Sequence, residues 1–145
     1  MQASIAKIVS ELFMLVLSVV SAPSDHKEFR LDLIQQSGRV ETMVVKRTDA
    51  GFTLLEQQGD KAVERGTIRP VAGKPNTYIL KLGGGPEQTF DFAAGIQGFN
   101  MEGLQKSQTL DLKAGDGEVI HVQRSGSAVY LTPGKGRMTY ACHKD

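Results

Sequence analysis

Three histidines, one cysteine and three aspartates set between apolar residues are the groups in this chain whose types could do chemistry. His26, His121 and His143 share neither an H-x-H nor an H-x-x-x-H spacing, so no metal site is indicated. His121 falls in EVIHVQR, a strand pattern that places its side chain on one face with Val119 and Gln123. If that face lines an interior, His121 is a contact for a small molecule or haem, and Tyr130 in AVYLT and Tyr140 in RMTYAC are the other candidates for such a lining. A solvent-facing or hydrogen-bonded structural histidine is the ordinary alternative. Cys142 and His143 set a nucleophile beside a base, but neighbours in a strand point to opposite faces and form no dyad.

The tetrads RLDL, TFDF and TLDL hold Asp32, Asp91 and Asp111 between core residues. A row of carboxylates would bind a cation or a basic partner. The expected reading is plainer: the three face water and discourage strand edges from pairing. Gly83-Gly84-Gly85-Pro86 lacks the Lys-Ser/Thr pair of a phosphate loop and the G-x-G-x-x-G spacing of a dinucleotide turn, and no G-x-S-x-G elbow occurs. No catalytic residue, metal ligand or cofactor is assigned.

A chain of 145 residues has room for one domain. Seventeen Lys and Arg against 16 Asp and Glu leave a net charge of +1, and with no basic block and no Trp nucleic-acid binding is not expected. One cysteine excludes an internal disulfide framework.

Two leading readings compete for the N-terminus, with a membrane-surface or anchoring helix as a third. LFMLVLSVV, preceded by Lys7 and followed by Ser21-Ala22-Pro23, has the layout of a secretory signal cut after Ser21. The run is shorter than the roughly 20 apolar residues that a transmembrane helix needs, so no span is expected. Alternatively, Ile5, Ile8, Val9, Leu12, Phe13, Val16, Val19 and Val20 fall on one face of a helical wheel, with Lys7, Glu11, Met14 and Ser18 on the other. That pattern describes a retained amphipathic helix packed on a sheet or over the end of a barrel. The organisation expected is 1–21 signal peptide or retained helix, 22–27 linker and 28–145 all-β domain.

From Phe29 onward, apolar and polar residues alternate in short bursts between turn residues, and all 16 glycines lie at or beyond Gly38. EFRLDL, RVETMVVKR, Phe52–Gln57, Ala62–Arg69, TYILKL, QTFDF, FNMEGL, SQTLDLK, EVIHVQR, AVYLT and RMTYAC all read as strands. Hairpin-length links predict a single antiparallel meander of about 8–11 strands, closed as a barrel or stacked as a sandwich. The expected core includes Phe29, Leu31, Leu33, Val44, Phe52, Leu54, Ile68, Leu80, Phe90, Phe92, Leu110, Leu112, Ile120, Val122, Val129, Leu131 and Tyr140. Register is ambiguous in TMVVK and EVIHV, where apolar residues occupy both phases.

Strand count alone resembles that of lipocalin barrels, but a Gly-x-Trp signature cannot exist in a chain without Trp, and no family is recognised. The leading functional expectation is an exported, extracytoplasmic, non-enzymatic binding module that takes an apolar or amphipathic small molecule in its interior. The alternatives are a structural or interaction module that docks a partner chain through a sheet face or edge, and an all-β enzyme without a recognisable motif.

Overall fold

The structure is a computed structural model that describes residues 9–135 and 138–144. Ile5, Lys7 and Ile8 of the wheel, Gly136 of the last turn and Arg137 of RMTYAC lie outside the described residues. Helix α1 (Glu11–Ser21) is followed by β1 (Glu28–Gln35), β2 (Val40–Thr48), β3 (Gly51–Gln58), β4 (Lys61–Val71), β5 (Lys74–Leu82) and β6 (Glu87–Asp91). A short helix α2 (Phe92–Gly95), β7 (Ile96–Gln97) and α3 (Met101–Lys106) lead to β8 (Thr109–Ala114), β9 (Val119–Ser125), β10 (Ala128–Pro133) and β11 (Met138–His143).

All eleven strands belong to one antiparallel sheet, ordered β6-β5-β4-β3-β2-β1-β11-β10-β9-β8-β7. The first and last strands pair along Arg30–Gln35 and Met138–His143, and a meander runs outward from that seam in both directions. The expected barrel is not formed: β6 and β7 are the two free edges, and the sheet stays open between them. Among the described residues the strands form one sheet and not two stacked ones. The ladder stops at Asp91 because its side chain turns back to accept from the Ala94 N–H at 3.2 Å and caps α2.

The sheet is nevertheless strongly curled. Its edges would stand about 48 Å apart if it were flat, yet Asp91 and Ile96 are joined by a segment that reaches at most about 18 Å. α1 supplies a second argument. Phe13 packs against Phe90 on β6, while the Tyr140 hydroxyl on β11 donates to the Glu11 carbonyl. Those strands are six positions apart in the sheet, about 29 Å if flat, and a helix about 10–12 Å wide touches both only if the sheet wraps it.

The inner face carries Phe29, Leu31, Leu54, Ile68, Leu80, Phe90, Ile120, Val122, Val129 and Leu131, as the alternation predicts. In β2 the inward phase is Met43 and Val45, opposite Leu31 and Phe29; Val44 lies across from Arg30 and is only half-buried, which corrects its place in the expected core. Leu33 and Leu110 are half-buried at the core margin. FNMEGL is not a strand: the Asn100 side chain accepts from the Gly103 N–H at 3.1 Å and starts α3, a cap that outweighs the alternation. Phe92 likewise opens α2 instead of ending a strand.

Gly51 begins β3 at φ +141°, where an added Cβ would run into the Ile68 carbonyl of β4. Gly51→Ala is expected to cost about 1–3 kcal/mol for the strained backbone alone, read as a lower urea midpoint with an unchanged m value. An unshifted midpoint would show that the β3–β4 approach is looser than described.

Candidate functional site

The principal built site is the seat of α1 in the hollow of the sheet. Ser10 caps the helix by accepting from the Phe13 N–H at 3.1 Å, and Glu11 in the first turn suits the positive end of the helix dipole. Every residue from Phe13 to Ser21 is buried. Met14 and Ser18, placed by the wheel on an outer face, are covered like the rest, so the described helix is apolar all round rather than amphipathic. The two serines permit this. The Ser18 and Ser21 hydroxyls donate to the Leu15 and Ser18 carbonyls at 2.8 and 2.7 Å, so neither needs a partner in the sheet.

At one end of the seat Phe13 meets Phe90 and Phe92 edge-on, with ring centroids 6.3 and 5.2 Å apart, and Tyr78 and Phe99 extend the cluster around Phe92. A cleft of about 230 Å³ opens beside Val9, Met14, Glu118, Pro133, Met138 and Tyr140. Tyr140 is buried there, and burial together with the nearby Glu11 carboxylate pushes its phenol up to about 12.

The other end is polar. The last carbonyls of a helix have no partner within it, and α1 has no basic residue in its last turn. Other elements supply the donors. Gln105 of α3 donates Nε2–H to the Val20 carbonyl at 3.1 Å, and Arg124 of β9 donates Nη2–H to the Ser21 carbonyl at 2.9 Å and also to the Leu104 carbonyl. The Cys142 thiol donates to the Ser18 carbonyl at 3.2 Å. The Nε of Arg124 is buried without a hydrogen-bond partner among the described residues.

Of the three candidate lining residues, only Tyr140 is inside. His121 and Tyr130 are exposed on the outer face, and His121 pairs with Asp111 at 2.7 Å in an open surface contact of small energetic weight. Arg124 and Gln105 were not singled out by sequence reasoning. A signal existed for Arg124: it continues the apolar phase of Ile120 and Val122, where a charge is out of place. Gln105 carried none, because its helix was not foreseen. His26, in the segment expected to be a linker, is buried with Nε2 3.0 Å from the Ser127 carbonyl.

The three aspartates do not form a row. Asp91 caps α2, and four strand steps separate Asp32 on β1 from Asp111 on β8. Asp32 is instead the centre of a cluster on the outer face of β2, β1 and β11. Its carboxylate lies 2.6 Å from His143 Nε2 and accepts from the Thr42 hydroxyl at 2.8 Å, with Arg30 alongside at 3.3 Å. Burial would raise its pKa, but the hydrogen bonds from His143 and Thr42 and the Arg30 charge outweigh that and hold the carboxyl below its ordinary 3.8. Being ionised it only accepts, so the imidazole donates to it. Thr42 gives its proton to Asp32 and not to His143, so the cluster holds no activated nucleophile. It ties the two terminal strands together.

Because the folded-state pKa is lowered, this stabilisation is fully present above the ordinary carboxyl pKa and is lost as pH falls through the lowered value. Asp32→Ala is expected to cost about 1–3 kcal/mol at neutral pH. The gap from the parent should narrow below about pH 4, as measured by urea unfolding at several pH values; a gap independent of pH would sink the assignment.

Among the described residues, no group of three or more His, Cys, Asp or Glu is placed to hold a metal ion, and no helix is long and apolar enough to cross a membrane. Neither a protein-family model, nor a curated protein, nor a solved structure matches the chain.

Proposed function

We propose that this protein is an exported, non-enzymatic binding module whose curled sheet takes an apolar or amphipathic molecule along the track filled by α1 in the full chain. In this reading 1–21 is a signal peptide cut after Ser21, and the remaining chain works outside the cytoplasm. The observation that supports it is the seat itself, an apolar hollow wrapped around a segment with the composition of a signal core.

Energetics add weight. Each of Phe13, Met14, Val16, Leu17, Val19 and Val20 is fully or almost fully buried, worth roughly 1.5–3 kcal/mol apiece. Together that is comparable to the whole net stability of a domain, about 5–15 kcal/mol. A sheet that lost α1 and left this face bare would be severely weakened, so the mature protein needs another apolar occupant.

The hydrogen bonds from Tyr140, Gln105, Arg124 and Cys142 to α1 favour a second reading, in which the helix stays as a permanent core and the protein is a structural or interaction module. One measurement separates the two: the intact mass of the full-length gene product recovered from its own host without refolding. Loss of 1–21 with a reproducible small-molecule adduct is the expected result. A chain that retains α1 and carries no adduct would transfer the assignment to the second reading.

A further inference from the structure

Resting on the export reading above, we propose that the molecule bound in the hollow is a long-chain fatty acid, its tail along the track of α1 and its carboxylate against Arg124 and Gln105. The C-terminal end of a helix carries a partial negative charge on its free carbonyls. Arg124 and Gln105 donate to those of Ser21 and Val20, so the site already solvates an anionic end attached to an apolar rod. A cut after Ser21 removes both acceptors and leaves both donors.

Arg124 does not depend on α1 for its position, because the Leu104 carbonyl of α3 accepts from the same Nη2. Its buried Nε has no partner among the described residues. Nε–H and Nη2–H together form the edge of a guanidinium that grips two carboxylate oxygens at once. Arg47, also at this end, is not released: it donates to the Pro23 and His26 carbonyls at 3.1 Å each, and both residues lie beyond the cut. The cut also makes Ala22 an amino terminus at this end, so Arg124, the Gln105 amide and the new α-ammonium together offer a cationic end that suits a carboxylate.

Length and direction agree. An 11-residue helix is about 16 Å long, of the order of a long acyl chain, and its far end reaches the cleft beside Met14, Pro133 and Met138. Cys142 on the inner face is a buried thiol kept neutral by its surroundings, and it adds no competing anion.

The test uses the full-length gene product as its own host delivers it, with its intact mass recorded and bound lipid extracted, titrated calorimetrically with palmitate and with hexadecanol. Palmitate is expected to bind about ten-fold or more tightly than hexadecanol, the effect of hydrogen bonds to a charged group. Arg124→Gln should bring palmitate down to the level of hexadecanol, closing the gap between the two ligands. If that variant does not fold, the ratio of the two ligands on the parent protein decides alone. Equal affinity for the two, or no palmitate binding, in a chain that has lost 1–21 would overturn the fatty-acid assignment while leaving the export reading standing. A chain that retains α1 would overturn both.

Discussion

Replacing Phe92 by alanine is expected to lower the stability of the full-length chain by about 3–5 kcal/mol, a large share of the roughly 5–15 kcal/mol that a domain commonly has. Phe92 is completely buried as the first residue of α2, the short link between the two open edges of the sheet. Its ring sits 5.2 Å from Phe13 of α1, 5.7 Å from Tyr78 of β5 and 5.6 Å from Phe99. Truncation therefore loses the transfer energy of the ring, opens a cavity and removes the aromatic contacts that hold the curled edges around the helix. Urea unfolding followed by far-ultraviolet circular dichroism reads the change. Phe99→Ala, at a half-buried position, should cost clearly less. A loss below about 1 kcal/mol for Phe92→Ala would mean that the edges are held by something other than this cluster.

The second large effect is kinetic. In the full-length chain Cys142 is expected to react with iodoacetamide about a thousand times more slowly than in denaturant, because labelling must wait for the helix to open. The thiol is completely buried beneath α1, and its proton is given to the Ser18 carbonyl at 3.2 Å. Burial pushes its pKa far up, and neither the Ser18 contact nor the Arg124 charge offsets that, so the reactive thiolate is scarce as well as hidden. Chain that has lost 1–21 has neither cover nor acceptor, and with its guest extracted its labelling rate should approach the denatured one. Intact mass against time reads both species in one sample. Full-length chain that labels at the denatured rate would show that α1 does not sit on β11.

Period-two alternation and regularly spaced turn residues were enough to establish an antiparallel sheet, since alternation follows from where successive side chains point; the N-terminal run was left between a signal peptide and a packed helix, and the structure shows a helix. Most inner residues were legible for the same reason, from Phe29 and Leu31 to Val129 and Leu131. Closure was not. Whether β6 bonds to β7 depends on a few residues around Asp91, where the backbone can extend the ladder or turn into a helix, and here the Asp91 side chain caps the helix. The strand reading of FNMEGL failed because Asn100 satisfies the first free N–H groups of a helix, a local gain that alternation does not register. The outward placement of His121 and Tyr130 follows from the same alternation, since Ile120, Val122, Val129 and Leu131 take the inward phase on either side of them. The site lay furthest from the sequence. Arg124, Gln105, Tyr140 and Cys142 come from three elements and are brought to one helix only by the curl of the sheet, a long-range geometry that no local pattern encodes. The sequence by itself determined the strands, most of their inward faces and an apolar N-terminal run; the tertiary structure alone decided that this run is a helix buried from Phe13 to Ser21, that the sheet wraps it and that an arginine meets its negative end, because curvature and burial arise from contacts between residues far apart in the chain.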